Sequence, residues 1–126
     1  MASLVFDRIL DDFPKLKILI VHGGGYLPFY AGRLDQATRT NLKDEGLNGN
    51  FSAYVKRLYY DTVLFNPDML EYLATKAPPR HIVMGSDWPF AEKRPVQYVR
   101  RAKKLPQAVQ DGIVGANAAR LLGISI

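Results

Sequence analysis

Three polar side chains stand at the ends of short aliphatic runs, and their types suit proton chemistry. His22 follows Ile18-Leu19-Ile20-Val21 and opens His22-Gly23-Gly24-Gly25. Asp61 lies in Leu58-Tyr59-Tyr60-Asp61-Thr62-Val63, and Asp87 comes after Ile82-Val83-Met84-Gly85 and Ser86. Imidazole is the side chain whose ordinary titration range suits giving and taking protons near neutral pH. Each residue also has a plain structural use. A histidine at a strand end can donate to a backbone carbonyl, and Asp87 can cap the turn that Trp88-Pro89 begins. Asp61 reads as a supporting residue rather than a reacting one. The other histidine, His81, precedes its aliphatic run and belongs to the opposite end from His22.

The segments around these residues narrow the chemistry. Tyr26, Phe29, Tyr30, Phe65, Trp88 and Phe90 fall just beyond the three runs. They either wall a cleft for a small planar substrate or simply cover the end of a sheet. Gly23, Gly24 and Gly25 permit positive φ and close approach of backbone. A His-Gly-Gly-Gly run also occurs in the oxyanion segment of lipases, but the Gly-x-Ser-x-Gly elbow that chemistry needs is absent. A dinucleotide fingerprint fails because Pro28 stands where its third glycine belongs, and there is no Walker A loop. Arg33 has the charge to meet a carboxylate, although an ion pair on a helix is its plainer role.

The three runs read as strands covered on both faces, because their hydrophobicity is continuous rather than alternating. Helical patterns fill the gaps. Leu4, Val5, Ile9, Leu10 and Phe13 form one face of an N-terminal helix that Pro14 ends. Leu34, Ala37 and Leu42 mark a second helix, which Gly46 stops, and Ser52 is expected to cap a short third. Asn66-Pro67 starts a helix carrying Leu70, Leu73 and Ala74, which Pro78-Pro79 terminates. Pro95 and Pro106 open two more, and 116–122 forms a last one closed by Gly123. Strands alternating with helices imply parallel crossovers, so the three strand tips share one edge, where active sites of such sheets lie. One domain, 1–126, is expected, since no linker or repeat interrupts the chain.

Composition sets outer bounds. The 126 residues are 48% hydrophobic and 23% charged, with a net charge of +5 and no cysteine. Disulfides, thiolate zinc sites and cysteine nucleophiles are thereby excluded. Lys93, Arg94, Arg100, Arg101, Lys103 and Lys104 line a helical pattern opposite Val96, Val99 and Ala102, which reads as a solvated helix face and not a nucleic-acid surface. No apolar run approaches the roughly 18 residues of a membrane helix. The first residues lack the basic-then-apolar order of a secretory signal, so a cytoplasmic location is expected. A complete (β/α)₈ barrel needs roughly 200 residues or more, which this chain does not have.

The motifs together resemble one family. His22-Gly23-Gly24-Gly25-Tyr26-Leu27-Pro28, with Gly32-Arg33, is similar to the sixth strand and loop of the amidohydrolase-related (amidohydrolase 2) family, which includes aminocarboxymuconate-semialdehyde decarboxylase and the ortho-hydroxybenzoate decarboxylases. Tyr60-Asp61 resembles its seventh strand, Gly85-Ser86-Asp87-Trp88-Pro89-Phe90 its eighth, and Asn117-Ala118-Ala119-Arg120-Leu121-Leu122-Gly123 its closing helix. The resemblance implies an α/β fold that is part of a (β/α)₈ barrel, its last three βα units. It implies a metal-dependent carboxy-lyase or hydrolase acting on a small aromatic or dienoic carboxylate, with zinc or manganese as cofactor. On that pattern Asp87 is a metal ligand and proton carrier, and His22 is the base or relay beside the metal's water.

The family's first-strand His-x-His and fifth-strand histidine have no counterpart here, where the chain has two histidines in all. The site is therefore expected to be incomplete in this chain, with the metal possible only in part or not at all. The alternative is a catalytically silent partial barrel or truncation product that oligomerises. Open strand edges and bare inner faces lead to the expectation of a homo-oligomer or a partner chain.

Overall fold

In the computed structural model the described residues are 2–40, 47–90 and 93–125. Strands β1 (Leu19–Ile20), β2 (Tyr59–Asp61) and β3 (Ile82–Val83) form one sheet in the order β1-β2-β3. Both pairings are parallel, with Leu19 opposite Tyr59, Tyr60 opposite Ile20 and Ile82, and Asp61 opposite Val83. The three tips thus point the same way, as the alternation of elements requires.

The ladders are shorter than the aliphatic runs because local bonds take the backbone away. His22 enters a 3₁₀ turn, His22–Gly24, directly after Val21. The Met84 amide leaves the sheet to donate to the Ile113 carbonyl at 3.0 Å.

Among the described residues eight α-helices accompany the sheet: α1 (Ala2–Phe6), α2 (Ile9–Asp12), α3 (Leu27–Thr40), α4 (Phe51–Val55), α5 (Pro67–Lys76), α6 (Pro95–Arg100), α7 (Gln107–Asp111) and α8 (Asn117–Leu122). Two expectations are corrected. The N-terminal helix is two helices, broken where Arg8 takes φ 61°. Asn50, not Ser52, caps α4: its side chain accepts from the Ala53 amide at 3.1 Å. Ser52 instead donates its amide and hydroxyl to Asp35, at 2.7 and 2.5 Å, joining α4 to α3. The expected helix stop near Leu42 and Gly46 lies outside the described residues. Asn66 caps α5 through the Asp68 amide at 2.9 Å, and Gly123 closes α8 at φ 70°. A π-helical turn, Gly112–Ala116, joins α7 to α8.

The core lies between sheet and helices. Val5, Leu10, Phe51, Tyr60, Leu70, Ile82, Val99 and Ile113 are all buried there, each contributing roughly 1.5–3 kcal/mol. Buried polar groups are tied in. Asn117 donates to the Pro79 and Ile82 carbonyls at 2.9 and 2.7 Å, fastening α8 to β3. Glu71 accepts from the Lys104 amide at 2.8 Å and pairs with its ammonium at 3.2 Å.

β1 departs from the reading of strands covered on both faces. Ile18 and Ile20 pack on the core, whereas Leu19 and Val21 are exposed on the other side. The basic segment near α6 buries Val99 and Ala102 as expected, but Val96 is exposed.

Candidate functional site at the strand tips

His22 and Asp87 meet on the shared rim, the Nε2 of one 3.9 Å from the Oδ1 of the other. Their side chains are 63% and 36% exposed, so the pair faces solvent. At that separation no direct hydrogen bond forms. Both residues adopt left-handed backbone, φ 55° at His22 and φ 56° at Asp87. Such conformations cost about 1–3 kcal/mol each and persist only where the surroundings impose them. Two of them at facing positions on one rim indicate that the fold holds these side chains in place against local preference.

The glycines after His22 have different duties. A Cβ on Gly23 would lie 2.3 Å from Leu64 Cδ2, and one on Gly24 would lie 2.7 Å from Tyr60 Cε1. These two let the turn press onto β2 and the residues that follow it. Gly25 has φ 59° with nothing near its missing Cβ, so only its backbone requires glycine.

Asp61 occupies the supporting place expected of it. It is buried, and its Oδ1 accepts from the Gly23 amide at 2.8 Å and the Val63 amide at 3.1 Å. Sequence reasoning missed Thr62, also buried, whose hydroxyl accepts from the Gly85 amide at 3.1 Å and donates to the Gly85 carbonyl at 3.3 Å. A threonine just past a strand is too ordinary to signal such a bond.

The aromatic residues Tyr26, Phe29, Tyr30, Phe65, Trp88 and Phe90 are all exposed. Phe29 and Tyr30 lie in the first turn of α3, where Tyr30 meets Tyr26 edge-on with ring centroids 5.7 Å apart. Phe29 leans toward Tyr72 of α5, 6.3 Å away, over an apolar depression of about 150 Å³ that Gly23, Leu64 and Met69 also line.

His81 is at the opposite end, stacked on Tyr59 with centroids 4.4 Å apart. Burial and the neighbouring Arg80 charge push its imidazole below its usual range, partly offset by bonds to the backbone of Lys56 and Leu58. Arg33 is exposed on α3 and forms no ion pair with the described residues, contrary to its expected role.

A carboxylate oxygen and an imidazole nitrogen are donors that suit zinc or manganese. A catalytic zinc site takes about three protein ligands, and the described residues contain no group of three or more candidate ligands. His22 and Asp87 therefore fit part of a metal's donor set and not the whole of it.

Parallel strands, flanking helices and a polar pair at the strand tips define a segment of an α/β barrel whose working edge is its C-terminal rim. A family model described as Amidohydrolase matches residues 1–124, and the chain belongs to that family. Among curated relatives, 2-amino-3-carboxymuconate-6-semialdehyde decarboxylase from Dictyostelium discoideum is 26% identical over 98% of this chain and 36% of its own length. Among solved structures, 5-carboxyvanillate decarboxylase from Sphingomonas paucimobilis is 28% identical, with a TM-score of 0.86 over 97% of this chain and 38% of that one. A dihydroxybenzoic acid decarboxylase from Polaromonas, solved with manganese and 2-nitroresorcinol, shares the fold at 22% identity and a TM-score of 0.83, over 95% of this chain and 37% of its own. The chain thus spans little more than a third of these proteins and folds as a partial barrel.

Proposed function

We propose that the chain carries the C-terminal working rim of a metal-dependent carboxy-lyase or hydrolase for small aromatic or dienoic carboxylates, and that decarboxylation is its reaction. Residues 1–126 act as one domain, in the cytoplasm, with a small-molecule carboxylate as ligand. Among the described residues no helix is long and apolar enough to cross a membrane. The observation that carries the reading is the facing of His22 and Asp87 across 3.9 Å, both in left-handed backbone, amid exposed aromatic side chains.

Asp87 would be one ligand of a zinc or manganese ion, and the remaining donors would come from outside this chain's described residues. When bound, the ion supplies positive charge that draws electrons from the substrate's oxygen atoms. The rest falls to this chain. In decarboxylation the bond between the ring or diene carbon and the carboxylate breaks, carbon dioxide leaves, and the electron pair left on that carbon takes up a proton. His22, exposed and free of competing bonds among the described residues, gives that proton to the carbon and takes a new one from solvent. The exposed aromatic rings offer a flat apolar surface to a planar substrate.

The test is metal content together with carbon dioxide release from a hydroxybenzoate. Stoichiometric zinc or manganese that disappears in Asp87→Ala, and turnover that disappears in His22→Ala with the fold intact, support the reading, and a chain without bound metal favours the silent partial barrel. Turnover unchanged in His22→Ala removes His22 from the mechanism.

A second reading has its own observation. Leu19 and Val21 leave β1 with an aliphatic face in solvent, which favours association with a second copy or a partner chain and suits a silent partial barrel. Light scattering of a monodisperse monomer at high concentration counts against association.

A further inference from the structure

The two working side chains sit on different loops, and each loop is fastened to one of two adjacent residues, Asp61 and Thr62. At the tip of β2, Asp61 takes the Gly23 amide at 2.8 Å, one residue from His22. Thr62 takes the Gly85 amide and gives its hydroxyl proton to the Gly85 carbonyl, two residues from Asp87. We propose that Asp61 and Thr62 are positioning residues that set the separation of His22 and Asp87. The inference deepens the reading of that pair as the working site and rests on it.

The need for such a ruler follows from the backbone. Residues 22–25 all have positive φ, at 55°, 59°, 83° and 59°. Glycines in that region have no preference strong enough to hold one geometry, so the turn must be pinned from outside. Two short local bonds close it, from Gly24 to Val21 and from Gly25 to His22. Among the described residues, the bond that reaches beyond it to the sheet runs from the Gly23 amide to the buried Asp61.

The other loop faces a matching problem. β3 ends at Val83, after which the chain has no ladder partner on β2. A hydroxyl can accept and donate at once, so Thr62 replaces one residue's worth of ladder and carries the pairing on to Gly85. Gly85 completes the fit. A Cβ there would lie 3.1 Å from Asp61 Cβ and 3.0 Å from Val63 Cγ2, so glycine lets this loop press directly against the residue that holds the first. One dipeptide therefore references both loops to a single strand tip, on opposite sides of it.

The experiment compares Asp61→Ala, Asp61→Asn, Thr62→Val and Thr62→Ser by amide hydrogen exchange, crystal structure and melting temperature. Asp61→Ala speeds exchange at Gly23 about tenfold, as loss of one hydrogen bond does, and shifts His22 relative to Asp87. Asp61→Asn keeps a carbonyl acceptor and restores both. Thr62→Val does the same at Gly85, and Thr62→Ser restores it. A purely structural role lowers the melting temperature but leaves the separation as it was, and that result overturns the proposal. If Asp61→Ala does not fold, Thr62→Val and its serine rescue decide alone. Should the native chain release no carbon dioxide from a hydroxybenzoate, the proposed reaction falls, while exchange and separation still decide the role of the dipeptide.

Discussion

Two carboxylate clusters in this molecule are built to opposite rules. Asp11, on α2, has a side chain 2% exposed and is bonded on every side. It accepts from the Tyr54 hydroxyl at 2.5 Å, the Asn48 amide at 3.3 Å and the Arg57 guanidinium at 3.2 Å, and Arg57 also donates to the Leu10 carbonyl. Asp87, on the rim, faces solvent and has His22 3.9 Å away. The first cluster satisfies its charges and locks α2 to α4. The second leaves its charges open and spends left-handed backbone to place them. A saturated carboxylate is architecture, and an unsaturated one beside an imidazole is equipped to exchange a proton or take a cation.

The sharpest way to break the contrast is to remove Asp11. Asp11→Ala strips Tyr54 and Arg57 of their acceptor, and is expected to cost about 2–3 kcal/mol. That lies below the full price of breaking a buried pair, because Arg57 is 35% exposed. The urea midpoint should fall with no change in the slope of the transition. Acid probes the same cluster more gently. Burial works against the Asp11 carboxylate, but the Tyr54 hydroxyl, the Asn48 amide and Arg57 hold it below its ordinary value of 3.8. The folded state then binds fewer protons than the unfolded one near that pH. Its stabilisation is whole above about 3.8 and drains away as pH falls through the lower native value. Denaturation midpoints that stay level between pH 5 and roughly 2.5 would contradict the assignment.

How far the sequence revealed these two regions differs for physical reasons. The rim was legible because its chemistry depends on residue type at chain punctuation: His22 and Asp87 follow aliphatic runs, and glycines follow His22. Parallel order came from alternation, and Asn66-Pro67 marked α5 because capping is local. What stayed hidden depends on partners far along the chain. Nothing local distinguishes Asp11 from Asp12, since its partners are 37 to 46 residues away. Ser52 looked like a cap but answers to Asp35 across a helix contact, which left the cap to Asn50. The break at Arg8 and the π turn at Gly112–Ala116 have no composition signal, and Thr62 is silent until Gly85 lies beside it.

Within the rim, the glycines offer a finer comparison. Gly23→Ala meets both a positive φ and Leu64, and is expected to cost about 1–3 kcal/mol. Gly25→Ala meets only its φ and should cost about 1 kcal/mol. Thermal melts of the two variants side by side measure the difference. Equal losses would mean that the turn does not bear on Leu64 as described.

The smallest expected effect is a gain. His22 holds φ 55° with most of its side chain in solvent, so its native contacts return little for the conformation it endures. Glycine accepts that φ without strain, although it gives up more chain entropy on folding. His22→Gly should therefore leave stability unchanged or raise it by up to about 1 kcal/mol, while the carbon dioxide release of the proposed function is lost. A residue kept for packing would show the reverse, a fall in melting temperature with turnover preserved. The sign of that change, read against the fall in Asp11→Ala, tells whether the rim's histidine is retained at a cost to the fold or as a part of it.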